Sequence, residues 1–254
     1  MSTLVRKKLE ISQLNMSFGD VTALDNVSLD FHEEEFVSVV GTSGCGKSTL
    51  LNIIAGLQEP SSGSVTVDGT QVLGAGRDRG VVFQQATLLP WLTAQGNIEF
   101  ALEPGGYGKV ERSRIAKDYL ASVGLSGFED MFPSQLSGGM QQRVALARSL
   151  SYQPKLLLMD EPFGALDALT RRTMQQLLMK VWEEHKLTVM LITHDIDEAV
   201  FCSDRVVVMS SRPGRIKTEY SIDLPRPRDE ETFIHPSFRG YYKEILSHIN
   251  QGVV

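Results

Sequence analysis

The stretch that most constrains this chain is a short apolar run that stops on glycine. Phe36-Val37-Ser38-Val39-Val40 is mostly β-branched or aromatic, and Gly41-Thr42-Ser43-Gly44-Cys45-Gly46-Lys47-Ser48 follows it directly. Such a run predicts a buried strand. Lys47 to Ala55 then predicts a helix stopped at Gly56. A strand, a glycine-rich loop and a helix, in that order, form the setting in which G-x-x-x-x-G-K-S cradles phosphate. The glycines let the backbone curl with its N–H groups pointing inward, and the helix N-terminus adds partial positive charge. Lys47 is expected to reach the outer phosphates of a ligand. Ser48 offers a hydroxyl to Mg²⁺, and Thr49 supports the α-phosphate side. Cys45 reads as a small filler within the loop.

The rest of the chain supplies an alternating pattern. Leu9 and Ile11 alternate with Glu10 and Ser12, which predicts a strand from Leu9 to Phe18. Val27, Leu29 and Phe31 predict a second half-buried strand, and Val65 with Val67 and Val81-Val82-Phe83 predict further short ones. Between Pro90 and Pro133 the texture turns helical, with Ala116, Leu120 and Val123 on one face after a break at Pro104-Gly105-Gly106. Leu156 to Met159 and Val189 to Ile192 read as strands, with a helix between them that carries Met174, Leu177, Leu178 and Val181 on one face. Strands and helices in alternation predict an α/β sheet with substantial parallel pairing. From Arg212 the chain becomes rich in proline and arginine, and Phe238 to Ile249 predicts a terminal helix in a covering segment.

Composition narrows the function classes. With 254 residues, 42% of them hydrophobic, a sizeable core is available. A net charge of −6 argues against a sequence-tolerant nucleic-acid binder. It does not exclude a phosphate ligand, because a nest of backbone N–H groups holds anions on an acidic protein. The two cysteines, Cys45 and Cys202, lack metal-ligand spacing and read as reduced thiols of a cytosolic protein. Arg6, Lys7 and Lys8 lead into no apolar run, so the N-terminus does not read as a signal peptide. No stretch approaches the ~18–20 apolar residues of a membrane span. A membrane role would need a further subunit.

Several residues outside the loop carry chemistry. Leu156-Leu157-Leu158-Met159 runs into Asp160-Glu161. A buried strand tolerates acids only at its exposed end, because an unpaired buried charge is very costly. Consecutive strand residues point to opposite sides, so Asp160 is expected to face Mg²⁺ and Glu161 an attacking water as general base. His194 follows a core strand. It is compatible with sensing a γ-phosphate and with a structural role. Gln84, just past another strand, has an amide able to touch both metal and water. Phe18 is compatible with stacking on adenine and with core packing. Leu136-Ser137-Gly138-Gly139-Met140 places a capping serine and two glycines at a helix start, which is a second anion-binding geometry or an ordinary capped helix.

Together these residues resemble the ATP-binding-cassette (ABC) transporter family over essentially the whole length. Gly41–Ser48 looks like Walker A, Gln84 like the Q-loop glutamine, and Leu136–Met140 like the signature motif. Leu156–Glu161 resembles Walker B with its catalytic glutamate, Gly164-Ala165-Leu166-Asp167 the D-loop, and His194 the switch histidine. The resemblance implies an α/β, ABC-type P-loop ATPase. It has a mixed RecA-like core sheet, an N-terminal antiparallel β subdomain and a helical subdomain. Residues 1–254 would form one nucleotide-binding domain, with the helical subdomain over approximately 90–150 and a C-terminal extension over 212–254.

The resemblance further implies ATP and Mg²⁺ as ligands. Phe18, Gly41, Ser43, Gly44, Cys45, Gly46, Lys47, Ser48 and Thr49 would bind nucleotide in one subunit. Ser137, Gly138 and Gly139 of a facing subunit would cover it, with Asp167 along the seam. Ser48, Gln84 and Asp160 would hold the metal, and Glu161, His194 and Gln84 would serve catalysis. The implied partners are a second cassette, identical or paralogous, membrane permease subunits and an external binding protein acting through them. Nucleic acid is not among them. The implied place is the cytoplasmic face of the cell membrane, as a peripheral subunit.

One departure is Met140, where the family's signature usually ends in glutamine; Gln141 and Gln142 leave the helix at other angles. Leu88-Leu89-Pro90-Trp91 falls where the family docks its permease. That phrase, Asp160 to Ala168 and Ser210-Ser211-Arg212-Pro213-Gly214-Arg215 together resemble the nitrate, sulfonate and taurine branch of bacterial importers. Arg77 to Gln84 leans toward its taurine-type members. The competing class is a soluble ABC-type ATPase acting on DNA or ribosomes. Those relatives usually carry two cassettes or a long coiled coil, and this chain shows one cassette and no heptad run.

Overall fold

The computed structural model describes residues 6–250. Residues 1–5 of the N-terminal stretch read above, and the last four of the expected extension, lie outside the described residues. The chain divides into two compact units, Met1–Gly76 with His185–Val254, and Arg77–Glu184.

In the first unit, β1 (Lys7–Phe18) and β2 (Val21–His32) pair antiparallel, and β4 (Ser62–Val67) lies antiparallel on the other side of β1. The two-residue β5 (Thr70–Gln71) closes this sheet. The simple alternation expected along β1 slips once. Leu9 and Ile11 are buried, but so are Leu14 and Met16, which are in the opposite phase. A register shift between Ile11 and Leu14, with Gln13 at φ 48°, returns the apolar side chains to the core face.

The same unit holds β3 (Phe36–Val40), β8 (Thr188–Ile192), β9 (Arg205–Met209) and β10 (Ile216–Ser221), in the order β10-β9-β3-β8. β3 runs parallel to β8 and to β9, while β10 is antiparallel to β9. All five residues of β3 and of β8 are buried, as continuous apolar runs require when both faces are covered. The strands β9 and β10 were not expected from the sequence. β10 is an edge strand with only Ile216 and Tyr220 as large apolar positions, and it falls inside the proline- and arginine-rich stretch. α1 (Lys47–Ile54), α6 (Ile196–Cys202) and α7 (Pro236–Asn250) complete the unit.

That basic stretch has a structural use. The buried Arg228 guanidinium donates to Val200 O (3.0 Å), Phe201 O (2.9 Å), Ser203 O (2.5 Å) and Ile222 O (3.3 Å). It thereby satisfies carbonyls that the end of α6 leaves open. Burial lowers its pKa to about 10. Both cysteines are free and buried, and burial pushes the Cys202 thiol well up.

In the second unit, β6 (Arg79–Val82) runs parallel to β7 (Leu156–Asp160). α2 (Ala94–Leu102), α3 (Lys109–Ser122) and α4 (Gly138–Ser151) pack on one another, and α5 (Ala168–His185) follows β7. Ala116, Leu120 and Val123 are buried as expected. On α5 the buried face is turned slightly: Met174, Leu178 and Val181 are inside, joined by Gln175 and Met179, while Leu177 is half-buried. α2 falls within the stretch read as helical, ahead of the break at Pro104, and its clearest sequence mark is its cap, Thr93, accepting from Gly96 N at 3.1 Å. Among the described residues no helix is long and apolar enough to cross a membrane.

Candidate functional site

The phosphate loop forms as expected between β3 and α1. Its geometry follows from glycine at the helix start. Gly46, the residue before α1, has φ 100°, and no side chain caps the helix. A Cβ there would meet Leu24 Cδ2 at 2.8 Å and Ala23 O at 2.9 Å, so only glycine lets the loop lie on β2. The capping residue thus offers no side-chain acceptor to the first amides of α1, which face the loop. Lys47 is 6% exposed, and its ammonium donates to Gly41 O (2.9 Å) and Thr42 O (3.0 Å) of its own loop. Cys45 Sγ lies 3.8 Å from that ammonium and is buried, in keeping with a filler. Phe18, at the outer end of β1, is 50% exposed, which removes the core-packing reading.

In the same unit His194 sits between β8 and α6, exposed, on a rigid frame. Thr193 is buried, takes Val39 O through its amide at 3.2 Å, and pairs through its hydroxyl with Glu198. Asp195 caps α6 by accepting from Glu198 N at 3.2 Å, and its own amide donates to Thr193 Oγ1 at 3.0 Å. The residues on both sides of His194 are therefore fixed by hydrogen bonds.

The second unit carries the acids. Asp160 is the last residue of β7, but Glu161 is already off the strand, at φ 46°. The expectation that strand alternation aims Glu161 is therefore corrected. A left-handed turn sets its direction, a conformation that non-glycine residues rarely adopt and that clusters at functional sites. That turn brings two of the expected residues together. The position a Cβ would take on Gly164 lies 3.3 Å from Gln84 Nε2 and 3.8 Å from Glu161 Oε2.

Gln84 follows β6, and its main chain is held by α4. Buried Gln142 donates through Nε2 to Gln84 O at 2.6 Å and Phe83 O at 3.3 Å. Ser149 Oγ donates to Val81 O (2.8 Å), and Arg148 donates to Thr87 O (3.0 Å) and Ala86 O (3.4 Å). One helix thus supplies donors to five carbonyls between residues 81 and 87. Sequence reasoning missed these partners, because nothing local to Gln142 announces a partner 58 residues away.

α4 begins where the glycine pair predicts. Ser137 caps it and accepts from Met140 N at 3.3 Å. Gly139 is buried, and a Cβ on it would stand 2.5 Å from Thr170 Cγ2 on α5. Gln141, beside the unusual Met140, is spent on Pro133 O (2.9 Å) and Leu136 O (3.2 Å). Asp167 Oδ1 accepts from Leu169 N and Thr170 N, each at 3.1 Å, at the start of α5. The Thr170 hydroxyl, and then its amide, hold the Asp167 carboxyl below the usual aspartate range. Trp91 is 69% exposed, so Leu88–Trp91 is not a core cluster. The loop is held from beneath by fully buried Asn97, which accepts from Leu89 N (2.8 Å) and donates to Leu89 O and Leu92 O (3.2 Å each) and Thr93 O (3.0 Å).

A parallel strand feeding a G-x-x-x-x-G-K-S loop and helix, with a carboxylate pair closing another parallel strand, defines a P-loop nucleotide hydrolase. Comparison with known proteins places it further. The sequence profile described as ABC transporter matches residues 24–164. An uncharacterized ABC transporter ATP-binding protein of Methanocaldococcus jannaschii is 52% identical over 254 residues, covering 98% of this chain and 94% of that protein. The nitrate import ATP-binding protein of Synechocystis sp. is 51% identical over 228 residues, covering 88% and 85%. Among solved structures, the dimeric post-hydrolysis state of the ATP-binding cassette MJ0796 bound to ADP and Pi superposes with a TM-score of 0.75 at 38% identity, covering 84% of this chain and 98% of that one. The chain belongs to the ABC transporter family, as an ATP-binding subunit with ATPase activity.

Proposed function

We propose that this cassette energises a bacterial importer for a small solute of the nitrate, sulfonate and taurine group. The observation that carries the ATPase part of the reading is the left-handed turn at Glu161, whose carboxylate lies beside Gly164 together with the Gln84 amide. Support for import comes from the Synechocystis relative, named for nitrate import at 51% identity. The loop Gly41–Ser48 and Thr49 bind the phosphates of ATP, with the Lys47 ammonium exchanging loop carbonyls for phosphate oxygens. Phe18 stacks on the adenine. Glu161 takes the proton of the attacking water as general base, and His194 reads the γ-phosphate. The Ser48 hydroxyl, the Gln84 amide and the Asp160 carboxylate are hard oxygen donors that suit Mg²⁺, which supplies charge neutralisation at the phosphates when bound.

The catalytic unit in this reading is a pair of cassettes. Ser137, Gly138 and Gly139 of one subunit cover the nucleotide of the other, with Asp167 along the seam. The MJ0796 cassette, dimeric with ADP and Pi, supports that pairing. The exposed Trp91 and its Asn97-anchored loop form the contact to a membrane permease, which receives solute from an external binding protein. The protein works at the cytoplasmic membrane face as a peripheral subunit.

Glu161→Gln tests the reading. An amide cannot accept the water's proton, so multiple-turnover phosphate release should fall by ~10²–10⁴-fold. ATP should still bind, and a dimer should accumulate on size exclusion. Turnover near the wild-type rate would remove Glu161 from its role. Failure of the tagged cassette to co-purify with any multi-span membrane protein from its native membranes would argue against the transporter assignment.

A further inference from the structure

The phrase Ser210-Ser211-Arg212-Pro213-Gly214-Arg215 has no part in the reaction described so far, yet the fold places it directly behind the phosphate loop. It forms the turn between β9 and β10. Ser210 closes that turn on itself: its amide donates to Arg215 O at 2.9 Å, and its hydroxyl links Pro213 O and Arg215 N at 3.0 Å each. The closed turn is then fastened to β2. Gly214 N donates to Ala23 O (2.9 Å), Asp25 N donates to Gly214 O (3.0 Å), and Arg215 Nε donates to Asp25 Oδ2 (2.9 Å).

From this anchored position the turn touches the phosphate loop at three successive points. A Cβ on Gly41 would stand 2.9 Å from Met209 O, where β9 ends. A Cβ on Gly214 would stand 2.1 Å from Cys45 O, so any larger residue would drive the turn into the loop's main chain. Between these two contacts, Arg212 Nε donates to Gly44 O at 2.8 Å. This bond fixes an orientation. In a planar trans peptide the carbonyl and the following N–H point in opposite directions. With Gly44 O drawn outward to Arg212, the Cys45 N–H is turned to the other side, into the loop, where it now meets Thr42 O at 3.3 Å.

We propose that the 210–215 turn is a back wall for the phosphate loop, and that Arg212 is a positioning residue that sets the affinity for ATP. It acts through the Gly44–Cys45 peptide plane, whose amide it holds toward the phosphates. Arg212 need not touch the nucleotide. The inference rests on Gly41–Ser48 being the ATP-binding loop.

Because Arg212 is exposed, its removal should spare the fold, and its charge-assisted bond to one carbonyl should count chiefly in nucleotide binding. Full-length Arg212→Ala is to be compared with wild type by titration with a fluorescent ATP analogue, by steady-state ATPase kinetics and by thermal melting. The expected result is a Kd and KM for ATP raised about five- to tenfold, as for loss of one charge-assisted hydrogen bond. The kcat should stay within about twofold and the Tm within about 2 °C. Arg212→Lys keeps a charged donor and should recover most of the affinity. The proposal is overturned by an unchanged Kd, by a fall in kcat at constant KM, or by a Tm lowered by more than about 5 °C, which would mark a purely structural part. Lys47→Ala serves as the control. If it too leaves ATP affinity intact, the reading of the loop itself fails; if it abolishes affinity while Arg212→Ala does nothing, only the back wall fails.

Discussion

Two helix starts in this molecule have the composition of anion sites, and they are built in opposite ways. At α1 the capping position is Gly46, left-handed and without a side-chain acceptor for the helix amides. At α4 it is Ser137, extended and bonded to Met140 N. In the proposed reading the first start offers its backbone donors to a ligand, and it relies on glycine, a buried lysine and neighbouring strands to hold its shape. The second is a self-sufficient helix that offers one hydroxyl. A serine hydroxyl has one donor and two acceptor positions, so Ser137 can keep its cap and still donate to an anion. The difference suits their proposed tasks. The α1 loop holds a nucleotide continuously within one chain, whereas the α4 start meets its nucleotide only when two cassettes close.

The sharpest way to break this comparison is to give each start a methyl group. At Gly46 the obstruction includes Ala23 O, a backbone atom, together with a φ of 100°. Gly46→Ala should therefore lose tight ATP binding, about 100-fold or more in a charge-assisted site, and trimming Leu24 should not restore it. At Gly139 the obstruction is one side-chain methyl, Thr170 Cγ2 at 2.5 Å. Gly139→Ala should destabilise the fold by about 1–3 kcal/mol in urea unfolding, with Thr170→Ser in the same chain recovering most of it. Equal rescue at both positions would erase the distinction.

A smaller effect is expected from Ser137→Ala. Losing the cap should cost about 1 kcal/mol of stability in the same measurement, with nucleotide affinity of the isolated subunit unchanged. A drop in that affinity would mean the two helix starts are not separate devices. The smallest effect concerns Asp167, exposed at the start of α5. Its carboxyl titrates below its ordinary range because the Thr170 hydroxyl and amide favour the anion. The bond therefore contributes fully above the unfolded aspartate value of about 3.9 and is lost only as pH falls through the lowered folded value. An NMR titration of the Thr170 amide should follow that transition. A midpoint at or above the ordinary aspartate value would contradict the contact.

Much of the site was legible because its information is local. Gly41–Ser48, Ser137–Gly139 and Asp160-Glu161 each lie within a few residues of the strand or helix end that positions them, and spacing alone carries that message. β3 and β8 were legible for the same reason, as unbroken apolar runs. Three kinds of feature were not. Glu161 leaves its strand one residue early, and strand periodicity says nothing about a left-handed turn. The partners of Gly214, Gln142 and Asn97 are carbonyls and amides, which are the same at every residue and leave no mark in sequence. The edge strand β10 carries few apolar residues to signal it, since only one side of its ladder is paired.

The way α4 holds the segment after β6 has a consequence for how this cassette can be altered. Between Val81 and Thr87, Gln142, Ser149 and Arg148 donate at 2.6–3.4 Å to five main-chain carbonyls, which any residue bears, and Arg148 donates besides to the Thr87 hydroxyl at 3.3 Å. The frame is thus indifferent to spelling but strict about length. Gln84, the buried Val82 and Thr87 apart, residues in this segment can be exchanged to suit a different partner at little cost, whereas inserting or deleting a single residue would put donors and acceptors out of step along the whole segment. An engineer transplanting this cassette onto a foreign permease should rewrite letters here and leave the count alone.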